Sequence, residues 1–181
     1  MATKEKPRMV TAVFRDRLNA QSAYDMLRNR GYLDSEINVL MSDKTRSAYL
    51  TGDEAKQKLH AGTMAAEGAG IGGAVGTAAG ATAAAIAAAV AAVGSVVVPG
   101  LGLVVAGPLV AAFAGGGAGA VAGGVIGILV GAGIPEDNAK AYHEALRVGG
   151  VVLGVVPHSG DDAGKLKEQF KNLQGEDICY C

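Results

Sequence analysis

Hydrophobic and polar positions divide the chain into two ordinary halves around a long apolar middle. In residues 1–61, Val10, Ala12 and Phe14 alternate with Thr11 and Val13, which predicts a strand over residues 8–14. Asp16 is placed to cap a helix. Ala20, Ala23, Tyr24 and Leu27 then recur at helical spacing as far as Arg30, and Gly31 supplies a stop. Ile37, Val39 and Met41 share one face of a second strand over residues 36–41. Residues 42–60 are polar. Thr51 and Glu54 have capping-box spacing and predict a short helix through Leu59. In residues 135–181, Pro135, Glu136 and Asp137 open a helix whose apolar face is Ala139, Tyr142 and Leu146, and Gly149 and Gly150 end it. Val151 to Val156 reads as a strand. Asp161 or Asp162 can cap a last helix with Ala163, Leu166, Phe170 and Leu173 inward, and residues 178–181 predict a short terminal strand.

The middle, residues 62–134, has a different grammar. No Asp, Glu, Lys, Arg or His lies between Glu67 and Glu136. Glycine recurs every fourth residue at Gly68, Gly72, Gly76 and Gly80, continued by Ala84, Ala88 and Ala92. A second series runs through Gly115, Gly119, Gly123, Gly127 and Gly131. Residues four apart stack on one helix face, and glycine there leaves a flat groove that a second helix can approach backbone to backbone. In water each interior glycine costs a helix roughly 0.8–1 kcal/mol relative to alanine. In hydrocarbon an unpaired backbone group costs more, so the helix forms regardless. A bilayer core needs about 20 apolar residues, and residues 68–93 and 108–132 are each long enough. The pattern therefore predicts a helical hairpin, turning at Pro99, Gly100 and Pro108, with the glycines of the two series as its helix-packing residues. Apart from Ser95 its tip carries no polar side chain, which allows a two-pass hairpin or one that enters a single leaflet. Glu67, the last charge before the run, is expected at a membrane interface or helix start.

With the middle removed, the order is β-α-β followed by β-α-β. That is the split pattern of a ferredoxin-like sandwich, an α+β fold. The Gly/Ala-rich hairpin sits between the second and third strands, where a long excursion is tolerated because loop-closure entropy grows slowly with length.

Composition narrows the function classes. The chain has 181 residues, a formal net charge of -1, 50% hydrophobic residues and 4% aromatic ones. A nucleic-acid binder needs a basic surface that this balance does not supply. Trp is absent and no Tyr or Phe flanks the apolar run closely, so the aromatic belt of a simple membrane span is missing. The first residues are charged, without the apolar run of a secretory signal, which places the α+β part in the cytoplasm. Lys56, Lys58, Lys140 and Arg147 are the basic residues nearest the run and agree with that side.

Chemistry-bearing motifs are sparse. Gly68, Gly70 and Gly73 match a G-x-G-x-x-G string, but no strand precedes it and no acidic residue follows at the required distance, so no dinucleotide site is expected. His60, His143 and His158 lack ligand spacing to one another or to cysteine, and no metal or cofactor is expected. No nucleophile–base arrangement can be read, and no catalytic residue is assigned. Cys179 and Cys181 are expected as reduced thiols in an edge strand or a frayed tail, with a redox or metal role open if several tails meet.

The segments Val10 to Phe14, Val39 to Asp43, Ala65 to Gly68, and Gly133-Ile-Pro-Glu-Asp137, with Tyr142 and Arg147-Val-Gly-Gly-Val151 downstream, resemble the bacterial general stress protein (YflT-like, general stress protein 17M-like) family, and within it members with a glycine-zipper insert. The likeness runs from Arg8 to about Leu173; the Cys-Tyr-Cys end lies outside it. It implies stress induction and a small α+β domain, and it carries over no catalytic residues. Together these readings predict a non-enzymatic, stress-associated protein that forms homo-oligomers through the glycine faces, in or on a membrane. The alternatives are a soluble cytoplasmic particle or filament with the hairpins as its core, and a ligand-sensing module anchored by the hairpin.

Overall fold

In the computed structural model the described residues are 8–50, 86, 96–98, 102–115 and 117–181. They form a mixed helix-and-strand fold around one antiparallel sheet. Its strands are β1 (Val10–Phe14), β2 (Ile37–Ser42), β3 (Val96–Val98), β4 (Leu103–Ala106), β5 (Val151–Val155) and β6 (Glu176–Tyr180). The helices are α1 (Arg17–Asn29), α2 (Asp43–Leu50), α3 (Leu109–Gly115), α4 (Gly117–Gly131), α5 (Glu136–Arg147) and α6 (Gly160–Asn172).

The strand order is β3-β4-β2-β5-β1-β6, and every neighbouring pair is antiparallel. Thus β1 and β2, joined by α1, flank β5, while β5 and β6, joined by α6, flank β1. Two β-α-β units interleave in the central strands. β1, β4 and β5 are buried at every position, because helices cover both faces of the sheet. Val10, Ala12, Phe14, Val151, Leu153 and Val155 face α1 and α6. Val13, Leu40, Val105 and Val152 face α3, α4 and α5. Phe14 meets Phe170 of α6 edge-on, with ring centroids 5.5 Å apart at 83°. Burying a side chain of that size contributes on the order of 2 kcal/mol.

Local signals account for most boundaries. Asp16 caps α1 by accepting from the Leu18 and Asn19 amides, and Gly31, at φ +92°, takes the left-handed turn that ends it. Pro135 immediately precedes α5, whose first turn holds Glu136 and Asp137. The cap of α6 differs from expectation. Ser159, not Asp161 or Asp162, accepts from the Asp162 amide, which leaves the Asp162 carboxylate for another task. A further difference is α2, in residues that read as polar linker. Ser42 accepts from the Thr45 amide at 3.1 Å and starts it.

The larger corrections concern the apolar middle. The described residues expected at the tip of a helical hairpin are not helical. Val96–Val98 and Leu103–Ala106 are paired strands, and β4 pairs with β2 from Val39↔Ala106 to Ser42↔Leu103. The physical reason is that β2 has a free edge, and β-branched valines fit a pleated, covered surface. Nor is 108–132 one straight helix. Gly124, at φ 54° and ψ -142°, breaks α4 between two helical pieces. Pro108 lies directly before α3, at the turn from sheet to helix rather than at a membrane hairpin's apex. Among the described residues no helix is long and apolar enough to cross a membrane. The apolar side chains of the second arm cover the sheet instead: Leu109, Phe113, Val125, Ile128 and Leu129 are buried in its second core. Ile86, from the first arm, is helical and fully buried in the first core beside Val104 and Ala106.

One junction fixes this second layer. Gly107 has φ +87°, and a methyl group on it would lie 2.4 Å from the Ile37 carbonyl oxygen. Only glycine permits both that conformation and that approach. Beside it the buried Asn38 side chain accepts from the Leu109 amide at 2.7 Å and donates to the Gly154 carbonyl at 3.2 Å. A strand residue thereby satisfies the first amide of α3.

Candidate functional site

The residues expected to pack helices fall into three groups. Gly68, Gly72, Gly76 and Gly80, with Pro99 and Gly100 of the expected turn, lie outside the described residues, as does the expected 51–59 helix. Gly115 ends α3, and Gly119 and Gly123 lie in α4 before its break. Gly127 and Gly131 follow the break, on a helical piece whose Val125, Ile128 and Leu129 point into the second core. Gly131 is exposed, and a methyl group there would meet nothing within 4 Å. The break at Gly124 prevents the second glycine series from forming one continuous stripe.

A polar cluster that sequence reasoning did not assemble joins the end of α1 to the start of α6. The Asp162 carboxylate accepts from the Tyr32 hydroxyl and from the Arg30 guanidinium. Arg30 also donates to the Gln169 side chain at 2.9 Å. His158 stacks on Tyr32, with ring centroids 4.2 Å apart and an interplanar angle of 18°, and its amide donates to the Tyr32 oxygen at 3.3 Å. Glu36 Oε1 stands 3.9 Å from His158 Nε2. Burial alone would raise the Asp162 pKa, but the bonds from Tyr32 and Arg30 outweigh it and hold the group below the usual carboxylate range. Burial, then the bond to Asp162, pushes Tyr32 up to about 12. A second knot lies nearby in sequence: Tyr24 donates to Asp34, which also pairs with Arg28. Burial first, then Asp34, raises the Tyr24 pKa.

On the other face Thr11 and Tyr142 share a buried hydrogen bond of 2.7 Å, and Tyr142 donates to the Asp177 carbonyl at 2.8 Å. Burial pushes Tyr142 up to about 12. Cys179, in β6, and Cys181, just beyond it, are not the free thiols expected from the sequence: their sulfurs are joined in a disulfide. Among the described residues no group of three or more His, Cys, Asp or Glu side chains could hold a metal ion.

These clusters share one chemical character. Asp162 and Asp34 each pair with a guanidinium and accept from a tyrosine hydroxyl, and each buried tyrosine remains protonated through neutral pH. They tie loops to helices. Their members lie too far apart in the chain for any spacing rule to reveal them, since Tyr32 and Asp162 are 130 positions apart. No family model, curated protein or solved structure matches the chain. The class that the residues define is therefore the architectural one, an α+β protein with an antiparallel sheet covered by helices on both faces.

Proposed function

We propose that this is a non-enzymatic, stress-associated protein with a ferredoxin-like core that self-associates through its glycine-rich helices. The interleaving of β1, β2, β5 and β6 supports the ferredoxin-like reading, with β3 and β4 as an added edge. The single observation that carries self-association is the two-sidedness of the second half of α4. One side is committed to the sheet through Val125, Ile128 and Leu129, while Gly131 lies exposed on another, with room for a closely approaching backbone. Burial of Ile86 and of these α4 residues in the two cores favours an assembly built on the folded domain, in the cytoplasm, over a hairpin detached from it. The resemblance to general stress proteins supplies the association with stress.

A second reading remains open on one observation. The run without charge from Gly68 to Pro135 is long enough for residues 68–93 to contact lipid while the domain stays at the surface. Flotation of the natively expressed protein with vesicles, followed by detergent-free size analysis, separates the two. Discrete soluble oligomers support assembly on the domain. Carbonate-resistant flotation supports the membrane reading. A monomer in both experiments sinks self-association. Gly131→Leu makes the test local: its Cβ has open space around it, and the variant should dissociate the oligomer.

A further inference from the structure

β6 lies at the edge of the sheet and is half-buried at the positions that matter here. Thr11 of β1 is paired with Cys179, and Met9 and Cys181 exchange backbone hydrogen bonds just beyond it. Positions two apart in an extended strand point to the same face. Here that face is the second one, and Cys181 packs against its core. The Cα atoms of Cys179 and Cys181 are 5.8 Å apart and their sulfurs are bonded to each other. Both cysteines are partly exposed, so an incoming thiol has access. The ladder is irregular between Thr11, opposite Cys179, and Val13, opposite Glu176, just before the first cysteine. Such bulges re-aim side chains and are frequent beside reactive sites.

The surroundings also provide for the reduced form. Thr11 Oγ1 is 4.0 Å from Cys181 Sγ and 2.7 Å from the Tyr142 hydroxyl, which itself donates to the Asp177 carbonyl. Because Tyr142 spends its proton on Asp177, Thr11 donates to Tyr142. The remaining lone pair of Thr11 is then free to accept from a Cys181 S–H.

We propose that Cys179 and Cys181 are a reversible dithiol–disulfide couple that exchanges with low-molecular-weight thiols, with Thr11 as the positioning residue for the reduced state. In the reducing direction a thiolate RS⁻ attacks one cysteine sulfur. The RS–S bond forms, the Cys179–Cys181 bond breaks, and the departing thiolate takes a proton from water. A second RS⁻ attacks the mixed disulfide and releases RSSR, and the second cysteine is protonated in turn. Two RSH are oxidised to one RSSR while the protein disulfide gains two electrons and two protons.

The test is equilibration of the full chain in buffers of graded glutathione to glutathione disulfide ratio, followed by acid quenching, alkylation and intact mass. One reversible transition is expected, from a species carrying no alkyl groups to a species carrying two. Cys179→Ser and Cys181→Ser should each accumulate a single glutathione adduct. Thr11→Val should shift the equilibrium toward the disulfide by about five-fold, the scale of one lost hydrogen bond, and Thr11→Ser should restore it; an unchanged midpoint in Thr11→Val overturns the role of Thr11. The couple itself is overturned by two alkyl groups at every ratio, by none at any ratio, or by disulfide-linked dimers in place of the intrachain bond.

Discussion

The two helical layers over the sheet are held by opposite means. α1 and α6 are amphipathic helices with charged outer faces, tied at their ends by side chains: Arg30 and Tyr32 on Asp162, and Tyr24 and Arg28 on Asp34. α3 and α4 carry no charged residue at all. They are tied by backbone proximity at Gly107 and by one buried amide, Asn38. A layer tied by charged side chains should respond to pH, and its links can be weakened one at a time. The α3–α4 junction, tied by backbone contact, should ignore pH and should fail as a unit when it is filled.

The largest expected effect is therefore at Gly107. Gly107→Ala imposes a strained φ and a backbone clash together, and should destabilise the fold by about 3 kcal/mol or more in denaturant unfolding. A loss under about 1 kcal/mol would show that the α3 junction yields easily. Next comes Asn38→Leu, which strands the buried Leu109 amide and the Gly154 carbonyl. A loss of about 2 kcal/mol is expected, and the same at pH 5 as at pH 8.

The first layer should behave differently. The Asp162 pKa is lowered in the fold. Its contribution is therefore fully present above the unfolded value near 3.8 and is lost as pH falls through the lower folded value. Asp162→Asn should cost about 1–2 kcal/mol at neutral pH and should flatten the acid limb of the stability curve. An unchanged acid limb would mean that the α1–α6 latch is not what titrates. At high pH the sign reverses. Tyr32 in this layer, and Tyr142 of α5 on the other face, are raised from 10.0 to about 12, so their contribution is intact below pH 10 and is lost as pH climbs through 12. Phenolate absorbance of the native protein should rise late and together with unfolding. The smallest effect is at Gly131, where Ala meets no neighbour. Gly131→Ala should change stability by no more than about 1 kcal/mol, in the stabilising direction, and should leave any oligomer intact, in contrast to Gly131→Leu.

How far each layer could be read in advance follows from how it is held. The elements outside the apolar middle are written locally. Asp16 before a helical stripe, Gly31 after it, Pro135 with Glu136 and Asp137, and the alternation in Val10 to Phe14 all act within a turn or two of chain. They placed β1, α1, β2, α5, β5, α6 and β6 to within a few residues. The polar latch was invisible because its partners, Arg30 and Tyr32 after α1 and Asp162 in α6, are brought together only by packing. Cys179 and Cys181, expected as reduced thiols, are paired in a disulfide for a similar reason: spacing two apart says nothing of the link, and the surrounding strand decides it.

In the described part of the apolar middle the same local evidence misled. Four-residue glycine spacing describes one helix face but does not say whether the helix stays straight, and Gly124 breaks it. A valine-rich segment without charges fits a bilayer and a buried strand equally well. Residues 103–106 are a strand because β2 offered an unpaired edge and helical layers offered cover, and residues 96–98 pair with that strand in turn. Periodicity, caps and stops, which act through short-range sterics and hydrogen bonds, were thus settled by the amino-acid order alone. The destination of the apolar side chains was settled only by the fold, because burial depends on which distant surface lies within reach.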